Sequence, residues 1–117
     1  MNSIERDEKL SKLLKIPYLC YCALLDNAEL IVDAMNKKGF WLKLRSPFIP
    51  TEQFKPKNHE MVAEWERTKN FWYASFDFHG TVDSRPLWQS GSENPAEAIV
   101  LAALKAIEGN PEIFGKE

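Results

Sequence analysis

Residues 4–16 carry apolar side chains at helical spacing, which predicts a short amphipathic helix at the start of the chain. Ser3 stands before an acidic first turn, where a helix-capping residue is expected. Pro17 disfavours helical geometry in the residue that precedes it, so the helix should end there.

A second helical pattern leads up to Gly39, which is expected to end it. Asp26 is followed three residues later by Glu29, an acidic analogue of a capping box, and this pair predicts a start at Asp26. The same apolar spacing extends back toward Tyr18. Two starting points therefore fit the sequence.

The segment at residues 93–109 has the clearest helix signals in the chain. Asn94 is a favoured cap, Pro95 sits at the first helical position, and Gly109 marks the end. Its alanines should let the backbone approach a sheet face rich in aromatic rings. Because its body carries few charges, burial on more than one side is expected, which allows a homodimer seam.

Strict alternation predicts the strands. Residues 40–45 alternate between apolar and polar faces, and so do residues 72–78. Residues 61–65 also alternate and are predicted to form a hairpin with 72–78, with a helix over 59–67 as the alternative. The proline-containing segment 46–58 and residues 80–93 are expected to be loops.

These elements predict a mixed α/β (α+β) fold. A three-stranded antiparallel sheet would be sandwiched between helices in the order αα-β-ββ-α. The 117 residues are expected to form a single domain, with an N-terminal helix at 1–16, the sandwich core at 17–109 and a short tail at 110–117.

Charge and hydropathy limit the location and the partners. A run of about 18 apolar residues is missing and the N-terminus is charged, so neither a membrane span nor a secretory signal is predicted and a cytoplasmic location is expected. The formal net charge is −2. Residues 37–57 hold six basic residues and one acid, a local charge of +5 that suits an acidic or phosphate-bearing partner.

The residues that could carry chemistry are sparse. Ser75, Asp77 and His79 should share one strand face, but steps of about 7 Å along a straight strand are too long for a catalytic triad. A metal site of Cys20, Cys22, His59 and His79 would need distant segments to meet. Phosphate-binding glycine motifs are absent from the sequence. We therefore expect no catalysis, no cofactor and no metal.

Two surfaces are candidates for binding. The first is the proline loop, whose apolar rings and cations would contact a protein partner; its residues are Phe48, Ile49, Phe54, Lys55 and Lys57. The second is an aromatic and basic strand face that could hold a nucleotide-like ligand or single-stranded nucleic acid; its residues are Trp41, Lys43, Arg45, Phe71 and Tyr73. Alternatively, the rings of the second set pack beneath another helical layer.

Three segments together resemble the phage ABA sandwich domain family of small phage and prophage proteins. They are "DNAELIVDAMNKKGFWLKL", "FWYASFDFHG" and "NPAEAIVLAALKAI". The resemblance covers roughly residues 17–108 and implies a helix–sheet sandwich and a phage context, without catalytic residues to transfer. In that context we expect an accessory protein in the host cytoplasm whose partner is a host or phage protein. The expected role is inhibition of a host or anti-phage defence protein.

Overall fold

The computed structural model describes residues 2–47, 58–78 and 89–115. Within these ranges the elements are α1 (Ser3–Leu14), α2 (Leu25–Lys37), β1 (Phe40–Arg45), α3 (His59–Thr68), β2 (Trp72–Phe78), β3 (Gln89–Ser92), α4 (Pro95–Glu108) and α5 (Pro111–Phe114). The predicted mixed α/β class, the three-stranded antiparallel sheet and the order of its main elements are confirmed. The strands lie side by side in the order β1-β2-β3.

The predicted identity of one strand is wrong. Residues 61–65 lie inside α3, so the helical alternative for this segment is correct and the hairpin with 72–78 is not. Three of the ten residues of α3 are Glu, and Met61, Ala63 and Arg67 also favour a helix over a strand. The third strand is instead β3, within the stretch 80–93 that was predicted to be a loop.

Strand β3 has the sequence QSGS, which lacks the alternation that identifies a half-buried strand. It is extended because it pairs with β2, with Trp72 opposite Ser92 and Ala74 opposite Ser90. Strand formation here depends on a neighbour distant in sequence rather than on the local preference of its residues.

The helix ends differ from the predictions by small shifts. Asn2, not Ser3, caps α1, and its Oδ1 accepts a hydrogen bond from the Glu5 amide at 2.9 Å. Helix α1 ends at Leu14 because Lys15 adopts a left-handed conformation with φ 56°. The helix therefore ends before it reaches Pro17, which was predicted to end it. Glycine at position 39, with φ +92°, follows α2 as predicted.

Helix α2 begins at Leu25, one residue before the predicted start at Asp26, and the alternative start near Tyr18 is wrong. Leu24 occupies the cap position without a side-chain hydrogen bond to the backbone, and Asp26 lies inside the first turn. Residues 18–24 are not helical. Within this stretch the Tyr21 hydroxyl donates a hydrogen bond to the Pro17 carbonyl.

Helix α4 forms the centre of the core. It packs on β2 and β3, while α2 lies beside it and against β1. Its cap is Asn94, whose Oδ1 accepts from the Ala96 amide at 2.9 Å, as the sequence predicted. The four predicted alanines are all fully buried: Ala98, Ala102, Ala103 and Ala106.

Contacts with other elements of the same chain explain why α4 is so apolar. In addition to the sheet and α2, it contacts α1 and α5. The α5 turn brings the buried Phe114 ring to 5.4 Å from the Phe40 ring, so this part of the predicted tail joins the core. The homodimer remains a prediction, but α4 does not require a second copy to be buried.

A small polar cluster joins α1, the segment before α2 and the start of α4. Cys22 donates from Sγ to Asp7 Oδ1 at 3.2 Å, and the Cys22 carbonyl accepts from Asn94 Nδ2 at 3.0 Å. Burial, followed by the hydrogen bond to Asp7, raises the pKa of the Cys22 thiol to about 12. This thiol is therefore a structural group and a poor nucleophile at neutral pH.

None of the helices in the parts of the chain that the structure describes is long and apolar enough to cross a membrane.

Candidate binding surface

The register of β1 on β2 places the predicted aromatic and basic residues on one side of the sheet. Trp41 is opposite Asp77, Lys43 is opposite Ser75, and Arg45 is opposite Tyr73. Side chains alternate between the two faces of a strand, so these residues lie opposite the core side chains of Phe40, Ala74 and Phe76. We call this side the Trp41 face and the helix-covered side the core face.

Arg45, Tyr73 and Phe71 form a continuous group on the Trp41 face. The Arg45 guanidinium carbon lies 5.8 Å from the centre of the Tyr73 ring, within the range of a cation–π interaction. The Phe71 and Tyr73 rings are 6.3 Å apart and tilted at 53°. The Tyr73 ring therefore contacts both Arg45 and Phe71 on this face.

Gly91 lets these two rings lie close to β3. A methyl group added at Gly91 would approach Tyr73 Cε1 to 2.7 Å and Phe71 Cδ2 to 3.2 Å. The first distance is too short for any unstrained carbon contact, so a side chain at this position would displace the Tyr73 ring. The role of Gly91 was not predicted from the sequence, although a glycine inside a strand often marks the close approach of another group.

Lys43 and Asp77 form an ion pair diagonally across β1 and β2. Lys43 Nζ lies 3.0 Å from Asp77 Oδ2, and the Lys43 side chain is 65% exposed. An ion pair between Asp77 and Lys43 was not predicted from the sequence. The pair brings the Asp77 carboxylate into the basic surface. As a result, the Trp41 face is less positive than the sequence of β1 alone indicates.

Trp41 exposes 50% of its surface. Trp41 is therefore not fully covered by a second helical layer, whereas Ser75 on the same face is buried. Phe71 and Tyr73 are half-buried. The five residues predicted as a ligand surface therefore share one face, and the large ring of Trp41 is its most accessible apolar group.

The predicted protein-binding loop lies outside the described residues, as do all five of its candidates: Phe48, Ile49, Phe54, Lys55 and Lys57. Their role remains a prediction.

The structure also places parts of the predicted catalytic and metal sets. Ser75 is buried and Asp77 is paired with Lys43, while His79 lies outside the described residues. Cys20 is exposed, whereas Cys22 is buried. Across residues 2–47, 58–78 and 89–115, no three His, Cys, Asp or Glu side chains are arranged to hold a metal ion.

No family model, no curated protein and no solved structure matches this chain. The resemblance to the phage ABA sandwich domain family therefore remains a prediction from the sequence.

Proposed function

We propose that this protein acts by binding another protein, and that the Trp41 face is the contact surface. One observation carries the proposal: Trp41 is half exposed on the same sheet face as the Arg45–Tyr73 pair. Trp, Tyr and Arg are the residue types that most often dominate the energy of protein interfaces. Rings already fixed by contacts within the chain lose little conformational freedom on binding.

Charge favours a protein partner over nucleic acid. Binding to a phosphate backbone depends on many cations, and here Lys43 is paired with the Asp77 carboxylate. The whole chain has a net charge of −2. Arg45 lies over the Tyr73 ring, which reduces the area on which a base could stack.

The biological setting of the proposal comes from the family resemblance. In a phage or prophage context, the partner would be a host or anti-phage defence protein, and binding would inhibit it in the host cytoplasm. The predicted loop residues at 48–57 follow β1 directly in the sequence. They remain part of the proposed contact region.

The test compares two exposed aromatic residues. Affinity purification from the native host should identify a partner, and its affinity for the purified protein is then measured by calorimetry. Trp41→Ser should weaken binding at least about tenfold, because it removes a central interface ring. Tyr18→Ser is the matched control, since Tyr18 is 49% exposed and Trp41 is 50% exposed. Equal affinities of the two variants would contradict the proposal.

A nucleotide-like ligand or single-stranded nucleic acid is the second candidate for the same surface. The observation that favours it is the grouping of Phe71, Tyr73 and Arg45 on one face, since a base can stack on an aromatic ring that lies beside a cation. Thermal unfolding with nucleotides and a short oligonucleotide tests it. A rise in Tm that Tyr73→Ala removes would support this candidate.

A further inference from the structure

Strand β1 is an edge strand in the sheet that the structure describes, because the order is β1-β2-β3. An edge strand presents a row of backbone N–H and C=O groups that another strand can pair with. Pairing of this kind is a common way for a folded domain to bind an extended peptide. The inference that follows rests on the proposed function, because it concerns the partner of the same surface.

Exposure increases along β1. Phe40 at its start is fully buried, whereas Lys43, Leu44 and Arg45 at its end are exposed. Leu44 is on the core face opposite Ala74, yet Leu44 is 38% exposed and Ala74 is 0% exposed. The helices thus cover β2 at this level but do not cover the end of β1. We call residues 43–45 the exposed end of β1.

The exposed end of β1 is basic. It contains Lys43 and Arg45 and no acid, and Lys43 is paired with the Asp77 carboxylate of β2. The Lys43 ammonium group has three N–H donors, and the Asp77 carboxylate is one of its acceptors. Arg45 has five N–H donors. This segment can therefore attract an acidic chain.

The same charges argue against a second copy of this protein as the occupant. Two β1 strands paired about a twofold axis would bring Lys43 and Arg45 of each copy close together. Like charges on paired strands are destabilising. A lysine on an edge strand commonly prevents self-pairing. Such a lysine disfavours pairing with a basic or neutral strand, but it does not prevent pairing with an acidic strand.

We infer that the exposed end of β1 receives an extended acidic segment of the partner protein, added to the sheet as a further strand. Alternation of side chains then defines the segment. Acidic residues would lie beside Lys43 and Arg45 on the Trp41 face. An apolar residue would lie between them in sequence, beside Leu44 on the core face. The recognised pattern is therefore acidic–apolar–acidic.

Two capped peptides of equal composition test this inference. The first is Glu-Val-Glu-Val-Glu, which alternates, and the second is Glu-Glu-Glu-Val-Val, which does not. Titration followed by NMR should show that the alternating peptide shifts the amide signals of residues 42–45 and binds at least about fivefold more tightly than the other. Methylation of its alternate backbone nitrogens should remove binding, because it deletes the donors of a strand pair.

Charge reversal identifies the contact. Arg45→Glu should weaken binding of the alternating peptide at least about tenfold. Lys12→Glu makes the same change of charge on the exposed surface of α1 and should have little effect. Circular dichroism of both variants confirms that they are folded.

Several outcomes would overturn the inference. Equal affinity for the two peptides would mean charge attraction without strand pairing. Tighter binding of a short single-stranded oligonucleotide, lost in Arg45→Glu, would assign the surface to nucleic acid. Self-association of the wild-type protein that Leu44→Lys abolishes would assign it to a second copy. If a captured partner depends on Trp41 but the alternating peptide neither binds nor competes, the proposed function stands and the strand-pairing inference fails.

Discussion

The two faces of the sheet are built from the same strands but by different means. On the core face, Phe40, Ala74 and Phe76 are fully buried beneath helices with small or apolar side chains. On the Trp41 face, rings and charges contact each other instead: Arg45 lies over Tyr73, and Lys43 pairs with Asp77. The core face is held by removal of apolar area from water. The Trp41 face is held by a few specific contacts that remain partly in water.

This difference indicates how stability and function are divided. Substitutions on the core face should reduce the free energy of unfolding, since close-packed interiors adapt poorly to lost volume. Substitutions on the Trp41 face should affect partner binding more than stability. The predictions below test that division.

The largest effect is expected for Phe76→Ala. Removing a fully buried ring should lower the free energy of unfolding by about 3–5 kcal/mol, through lost transfer energy and the cavity left behind. Trp41→Ala should lower it by no more than about 1 kcal/mol, because half of that ring is already in water. Urea denaturation of both variants measures the two values. Similar losses would show that the Trp41 face is part of the core.

Gly91→Ala should lower the free energy of unfolding by about 1–3 kcal/mol, because its methyl group would overlap the Tyr73 ring. In a Tyr73→Ala background the same substitution should be neutral or stabilising, since alanine suits a strand better than glycine does. A double-mutant cycle in urea measures this coupling. Additive losses would mean that Gly91 does not position the ring.

Asn94 makes two separable contributions on the helix-covered side. Asn94→Ala should reduce stability by about 2 kcal/mol, since it removes both the α4 cap and the hydrogen bond to the Cys22 carbonyl. Asn94→Ser keeps a capping oxygen but is too short to reach Cys22, so its loss should be about 1 kcal/mol. Equal losses in thermal unfolding would show that one of the two contacts has no net effect.

The smallest effect on the free energy of unfolding at neutral pH is expected from the titration of the Cys22 thiol. At neutral pH the thiol is protonated in both the folded and the unfolded chain. Between its ordinary pKa of 9.0 and the folded value of about 12, the unfolded chain loses the proton first. The free energy of unfolding should therefore fall as the pH rises through this window.

Comparison with Cys22→Ala isolates this effect from the titration of tyrosines and lysines. The wild-type protein should lose more stability than the variant between pH 8 and pH 10.5 in urea denaturation. Parallel curves for the two proteins would show that the thiol is not buried as described.

Much of the fold could be predicted because its signals are local. The alternation of side chains identified both β1 and β2, with the observed bounds for β1, and Asn94 and Gly109 marked the ends of α4. Strand β3 could not be found in this way, because its three polar residues and one glycine are extended only through pairing with β2. Segment 61–65 alternates as a strand does, but its helix-forming residues lie within α3.

The candidate surface was predictable in membership but not in detail. Alternation alone places Trp41, Lys43 and Arg45 on one face of β1. The register between β1 and β2 decides that Arg45 meets Tyr73 and that Lys43 can reach Asp77. This register depends on residues of β1 and β2 that are far apart in sequence. The fit of the Tyr73 ring over Gly91 likewise depends on the pairing of β2 with β3.

Site-specific photo-crosslinking in the native host tests the central claim most directly. A photoreactive phenylalanine analogue would replace Trp41 in one variant and Tyr18 in the other, two aromatic positions of nearly equal exposure. We predict a crosslink to a discrete protein from position 41 and none to that protein from position 18. A crosslink from position 18 alone, or crosslinks from position 41 to nucleic acid only, would contradict the assignment of the Trp41 face as a protein-binding surface.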